Sequence, residues 1–226
     1  MFNMIKLDWL AMKYYQMRVI VIPLVICMAG VLSEALVIPL IAFYMLSFSV
    51  NPFAVEEKGK LDNLYLTLPV TRKTIVNARF GLSLIMQFAG LIVGTAVTIV
   101  LSKLFYGRTI LFLYKHSFHA DAKTVFLILC GSLLLYAIMN LSMFPVLFKI
   151  GYAKGKAIGF YIPVVAFAMI AYIIIMLWNY NGVFHAWALS IFDHTVIMSV
   201  IMLAAAILIF TTSYFLSNKL YVKREF

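Results

Sequence analysis

The chain has 226 residues, of which 65% are hydrophobic and only 12% charged. A soluble domain carries about 25% charged and about 45–50% apolar residues, so this chain is too poor in charge to present a water-facing surface and reads as an integral membrane protein. Its net charge of +10 does not point to nucleic acid, because the basic residues are spread over the loops between apolar runs instead of gathering on one aromatic-laced face.

The first segment, "NMIKLDWLAMKYYQMR", predicts an interfacial helix over about residues 1–16. Asn3 can cap it, Ile5, Trp9 and Met12 share a face, and tryptophan and tyrosine favour the membrane–water boundary. Basic residues ahead of an apolar run, with Ser33-Glu34-Ala35 beyond, mimic a secretory signal. The basic region is too long for one, so a retained first helix is expected.

Six runs are long and apolar enough to span a bilayer. They are Met17–Leu32, Ala35–Val50, Ile75–Leu101, Thr124–Phe148, Lys156–Asn179 and Thr195–Ser217. Only Ser33-Glu34 separates the first two, which predicts a tight hairpin with Pro23 and Pro39 as kinks. The expected fold is therefore an all-α membrane protein, a single domain over residues 1–226. Its loops are a long one at 51–70 on one side and an outer one at 102–123 on the other. Lysines and arginines give the orientation. With the N-terminus inside, fourteen of the eighteen lie in inner segments, and only Lys103, Arg108, Lys115 and Lys123 lie outside. By the positive-inside rule both termini are cytoplasmic.

The loop at 51–70 opens with Asn51-Pro52, an N-cap signal followed by proline at the first helical position. Glu56 and Glu57 suit the early turns of such a helix. Leu61, Leu64, Tyr65 and Leu68 follow as an apolar stripe, with Asp62 beside it, and Pro69 ends the segment. Thr71 then caps the next helix, and Arg72, Lys73 and Arg79 anchor its inner end. A short amphipathic helix here can lie on lipid or dock into another protein, apolar stripe into groove.

Further along, Gly90 and Gly94 form a small-residue pair suited to close helix packing, within this subunit or between two copies. "GYAKGKAIG" at Gly151–Gly159 is not a nucleotide loop: three residues rather than four separate its glycines, and Ala157 follows Lys156 where a magnesium-binding hydroxyl is needed. Gly151, Gly155 and Gly159 recur every fourth residue instead, which again permits close packing. His116, His119 and Asp121 are too few for a metal site at that spacing. Cys27 and Cys130 sit in apolar runs as small hydrophobes, so neither a disulfide nor a zinc site is expected. Gln87 and Asn140 are expected to face other helices. No acidic residue falls in the middle of a span; Glu34 stands at the first hairpin turn. A proton-driven carrier lacks its usual groups, and energy must come from outside the chain.

Glu56-Glu57 with Phe112 and His116 superficially resembles an intramembrane metalloprotease of the CAAX-processing type. Leu61 stands where that motif needs arginine, and the two halves are expected on opposite membrane faces, so no catalytic residues are assigned.

Phe53-x-x-Glu56-Glu57, Leu68-Pro69-Val70-Thr71-Arg72 and Ile75-Val76-Asn77-Ala78-Arg79-Phe80 strongly resemble the loop after the second span in permease subunits of type-2 ABC exporters. "IKLDWL" is similar to the interfacial helix of those proteins. Within that family the chain is most similar to permeases exporting amphipathic peptides from Gram-positive bacteria, such as the phenol-soluble-modulin exporters. The resemblance implies a bacterial plasma-membrane protein with a cytoplasmic coupling helix between spans 2 and 3. Glu56, Glu57, Leu61, Asp62, Leu64 and Tyr65 would meet a separate ABC ATPase, while Pro69, Arg72 and Arg79 hold the turn. ATP and magnesium would sit in that ATPase, not in this chain, and a second permease copy or paralogue would complete the transporter. A non-transport membrane protein reusing the fold, such as an immunity or sensor subunit, is the alternative.

Overall fold

The structure, a computed structural model, describes residues 5–6, 37–59, 71–105, 109–110, 114–115, 122–166, 169, 173, 176 and 194–223. A chain this apolar must satisfy its backbone internally, and helices do so without any partner strand. The elements in chain order are α1 (Val37–Gly59), α2 (Arg72–Phe105), β1 (Thr109–Ile110), β2 (Tyr114–Lys115), α3 (Ala122–Ile150), α4 (Tyr152–Lys156) and α5 (Thr195–Val222). After α4 the chain continues as a π-helical turn over Ala157–Tyr161 and then as α-helix over residues 162–166.

Among the described residues four helices, α1, α2, α3 and α5, are long and apolar enough to cross a membrane. They correspond to the second, third, fourth and sixth expected spans. The first expected span, Met17–Leu32, lies outside the described residues. The fifth, Lys156–Asn179, is described over residues 156–166 and at 169, 173 and 176, all of them helical. Of the expected interfacial helix only Ile5 and Lys6 are described; both are helical. Ile5 packs beside Leu82 and Met86 of α2.

The helices outrun the apolar spans. At about 1.5 Å per residue α2 is roughly 51 Å long, against a hydrocarbon core of about 30 Å. Most of the excess lies at one end, where α1 and α3 finish, α2 begins, α4 begins and α5 finishes. Exposed Lys73, Lys149, Lys154, Lys156, Lys219 and Lys223 ring this end. It is called the basic end below.

One boundary departs from expectation. Asn51 does not cap a new helix and Pro52 does not begin one: α1 runs through both to Gly59. Pro52 has no amide to give the Phe48 carbonyl, yet the helix continues because Pro52, Phe53, Ala54 and Glu56 are all buried. Phe53 packs edge-on against Phe144 and Phe148 of α3, with ring centroids 5.6 and 4.9 Å away. Tertiary packing overrides the local stop signal. The stretch between α2 and α3 also carries the two-residue antiparallel ladder of β1 and β2, Thr109 opposite Lys115 and Ile110 opposite Tyr114.

Two glycine faces set the helix spacing. A side chain at Gly94 would come within 3.2 Å of the Ile38 Cα of α1, and one at Gly90 within 2.7 Å of Met45. This pair therefore packs α2 on α1 inside the subunit. Gly155 and Gly159 play the same part against α3, meeting Leu147 and the Met143 backbone. Gly151 is different. Its φ of 81° makes it the turn between α3 and α4, a conformation that side chains resist. The chain folds back about it, so residues four and eight positions on face those four and eight positions before.

Buried polar groups link the four long helices. The Tyr136 hydroxyl of α3 lies 3.1 Å from Ser49 Oγ of α1 and 2.7 Å from Ser83 Oγ of α2. Asn140 of α3 donates to Ser83 Oγ at 3.0 Å and accepts from Ser213 Oγ of α5 at 3.0 Å. Helices in lipid gain little from hydrophobic burial, so such bonds fix which faces meet. Tyr136→Phe should therefore cost about 1–2 kcal/mol, because Ser49 and Ser83 lose a shared partner. A lowered melting temperature of the detergent-purified chain checks this; an unchanged one would show that the chain of bonds is dispensable.

Candidate functional site

The segment from Glu56 to Phe80 is the polar stretch on which the sequence reading rests, and its two flanks stand at the basic end. Leu61, Asp62, Leu64, Tyr65 and Pro69 lie outside the described residues.

Glu56 is on the last turns of α1 and is buried. Its Oε2 accepts a hydrogen bond from Arg79 Nη2 of α2 at 2.6 Å. Arg79 is 1% exposed, and its guanidinium carbon lies 4.1 Å from the centre of the Phe53 ring. Phe53 and Glu56 are three residues apart and so share a helix face. One face of α1 thus offers Arg79 both a carboxylate and an aromatic ring. A cation over a ring and against a carboxylate keeps its charge with little water. Glu56 was expected to meet another protein; it is turned inward and engaged. Arg79, named with Arg72 as an anchor of its helix, joins α2 to α1 through Glu56.

Glu57 points elsewhere and is exposed. Its Oε2 accepts from the backbone N–H of Ala153 at 2.7 Å, at the start of α4. The turn into α2 is capped as expected: Thr74 N–H donates to Thr71 Oγ1 at 3.3 Å. Arg72 reaches across to α5, where Nη1 donates to the Val222 carbonyl at 2.8 Å. It thereby satisfies a free carbonyl at a helix C-terminus and places a cation at the negative end of the dipole. Asn77 Oδ1 accepts from the Tyr214 hydroxyl of α5 at 2.6 Å.

Above these polar contacts sits an aromatic core drawn from all four long helices. The Phe80 ring meets Phe144, Phe210 and Tyr214 edge-on at 4.9, 5.5 and 5.4 Å, and Phe148 meets Tyr221 at 5.1 Å. The ends of α1, α2, α3 and α5 are consequently one packed unit.

Sequence reasoning missed five of these contacts: the Glu56–Arg79 pair, the Phe53 ring under Arg79, the Tyr214 bond to Asn77, the Glu57 bond to Ala153 and the Arg72 bond to Val222. The ring had a signal, since Phe53 lies three residues before Glu56. The last two involve backbone atoms, which leave no trace in side-chain identity. Among the described residues no cluster of three or more His, Cys, Asp or Glu is arranged to hold a metal. His116 and His119 lie outside them. Each of the paired carboxylates is spent on a separate internal partner, so they do not form a joint acid–base site.

Removing Glu56 takes from the buried Arg79 the carboxylate that it meets at 2.6 Å. Glu56→Ala should cost about 3–5 kcal/mol, and the joint replacement Glu56→Leu with Arg79→Met should recover much of that loss. Size-exclusion profiles and melting curves in detergent read both. If the single variant melts as the wild type does, the ion pair is not a structural anchor.

A model of the ABC-2 family transporter protein matches residues 3–222 of the chain. Searches of curated proteins and of solved structures found no match. The family match spans nearly the whole chain, and it fits what the helices display: several membrane spans gathered into a packed, basic end beside a polar interhelical segment. Such permeases are the transport component of machines whose partner is an ABC ATPase, and this chain belongs to the ABC-2 family of transporter proteins as a multi-pass membrane component.

Proposed function

We propose that the chain is the permease subunit of a bacterial exporter, with six spans and both termini in the cytoplasm, and that it moves hydrophobic or amphipathic cargo, peptides foremost. A separate cytoplasmic ATPase, holding ATP and magnesium, drives it through the 60–70 segment. A second copy of the chain, or a paralogue, completes the transport path.

The observation that carries this reading is the way the segment is mounted. Its two stems, the end of α1 and the start of α2, are joined by the buried Glu56–Arg79 pair and packed on α3 and α5 through the aromatic core. A force delivered to the ends of α1 and α2 therefore acts on stems that are joined to each other and to the core. The lysine-rich end where these stems lie supports a cytoplasmic location. Docking itself falls to Leu61, Asp62, Leu64 and Tyr65, because Glu56 and Glu57 are occupied within the chain. Charge reversal at Glu56 is accordingly a poor test of docking, since it would disturb the fold first. A weakly charged, aromatic-rich interior supports apolar or amphipathic cargo over ions.

The test is recovery of a partner. A tagged chain solubilised from its native membrane should carry a soluble ATPase with it. The combined change of Leu61, Leu64 and Tyr65 to serine should lower that recovery severalfold while the melting temperature stays put. Equal recovery would remove the docking role from this stretch, and no ATPase with the wild-type chain would remove the exporter reading. With the complex in hand, stimulation of ATP hydrolysis by amphipathic peptides, and not by polar ones, checks the cargo class.

A further inference from the structure

Glu56 and Glu57 are neighbours on a helix, so their side chains leave the axis about 100° apart and reach different partners. Glu56 ties α1 to α2. Glu57 ties α1 to the far hairpin, where α3 turns into α4.

The receiving end lacks a cap of its own. α4 follows Gly151, which has no side chain to offer its first amides, and its N-cap makes no side-chain bond. Serine, threonine or aspartate would usually serve there, but the φ of 81° favours glycine. Glu57 supplies the missing acceptor from another helix, and its negative charge sits at the positive end of the helix dipole.

The helix it caps is the least regular in the described bundle. It passes from α into π over Ala157–Tyr161. Pro163 comes next and has no amide for the Gly159 carbonyl in the α register; Ser142 Oγ of α3 lies 3.3 Å from that carbonyl and shares its proton with the nearer Met139 carbonyl at 2.8 Å. Gly155 and Gly159 face α3 with no side chains to interlock. A π-turn, a proline and a bare glycine face are the features at which helices bend or slide.

The geometry points to Glu57 as a positioning residue that carries movement of the 60–70 segment into the helix beginning at Tyr152. This rests on the exporter reading above. The Glu56–Arg79 pair makes the stems of the segment one body. The Glu57–Ala153 bond is exposed and is made to a single backbone N–H, so it is the joint that can part. When the stems shift, the carboxylate leaves Ala153, the first turn of α4 loses its cap, and the helix pivots about Gly151 and its π-turn. The ATPase thus moves two hairpins through one pair of adjacent acids.

Hydrogen exchange of the amides of residues 153–156 tests this. In the purified chain Glu57→Ala should speed their exchange roughly tenfold, the effect of losing one N-cap, and Glu57→Gln, which keeps an oxygen acceptor, should restore most of the protection. In the complex with its co-purifying ATPase, ATP with vanadate should speed the same amides in the wild type. Per ATPase recovered, it should add nothing further in Glu57→Ala. Unchanged exchange in Glu57→Ala overturns the proposal, and so does a full nucleotide response in that variant. If the wild-type chain brings down no ATPase, the exporter reading fails and the transmission role falls with it; an ATPase present with an unaltered response in Glu57→Ala condemns the transmission role alone.

Discussion

A guanidinium that is 1% exposed inside an oily protein needs a physical account, and Arg79 has one. Stripping water from an arginine and a carboxylate costs several kcal/mol per ion, which their attraction recovers only when the geometry is good. Here the two meet at 2.6 Å, and the Phe53 ring covers the guanidinium face. The cost is met by two contributions from one face of α1. The pair is therefore a poor source of net stability and a strong source of register. If α1 slid by one residue against α2, the carboxylate and the ring would both leave Arg79.

That register propagates. With α1 and α2 fixed at the basic end, Ser49 and Ser83 lie where a single Tyr136 hydroxyl can meet both, and Asn140 can bridge from Ser83 to Ser213. Toward the other end Gly90 and Gly94 let α2 lie almost on the backbone of α1. Ion pair, hydroxyl chain and glycine face act at successive depths. A membrane bundle needs such a series, since lipid tails solvate leucine about as well as another helix does. The exposed sides of α2 and α5, with Phe88, Ile92, Leu208 and Phe215, add nothing to the register within the described bundle.

Legibility in the sequence followed the same division. Hydropathy located the spans that the structure describes, because the bilayer imposes a length on them. It misjudged their ends, because the ends are set by aromatic and ionic contacts at the basic end and not by lipid. Asn51-Pro52 reads locally as a helix start, yet burial of Phe53 and Glu56 carries α1 across it. The glycine stripes were legible as packing faces, though not their partners. Gly151 looked like one of three equivalent glycines and proved to be the turn, since a positive φ leaves no periodic mark. The acidic pair was legible as important and misread as uniform. Adjacent residues on a helix face different ways, so two identical letters took two jobs.

The separation of those jobs bears on how such a protein can move without coming apart. A transporter subunit must hold its spans together while some of them change position, so its joints cannot all be alike. Buried joints are costly to open: parting Glu56 from Arg79 would leave two ions in a dry site. An exposed carboxylate on a backbone N–H is cheap to open, since water replaces either partner at once. The structure places the costly joint between α1 and α2 and the cheap one between α1 and α4. Movement therefore has a preferred division, with the ends of α1, α2, α3 and α5 held as one unit and the helix beyond Gly151 free to pivot against them. The irregular helix beyond Gly151 lies on the released side, where a pivot can act without breaking the core.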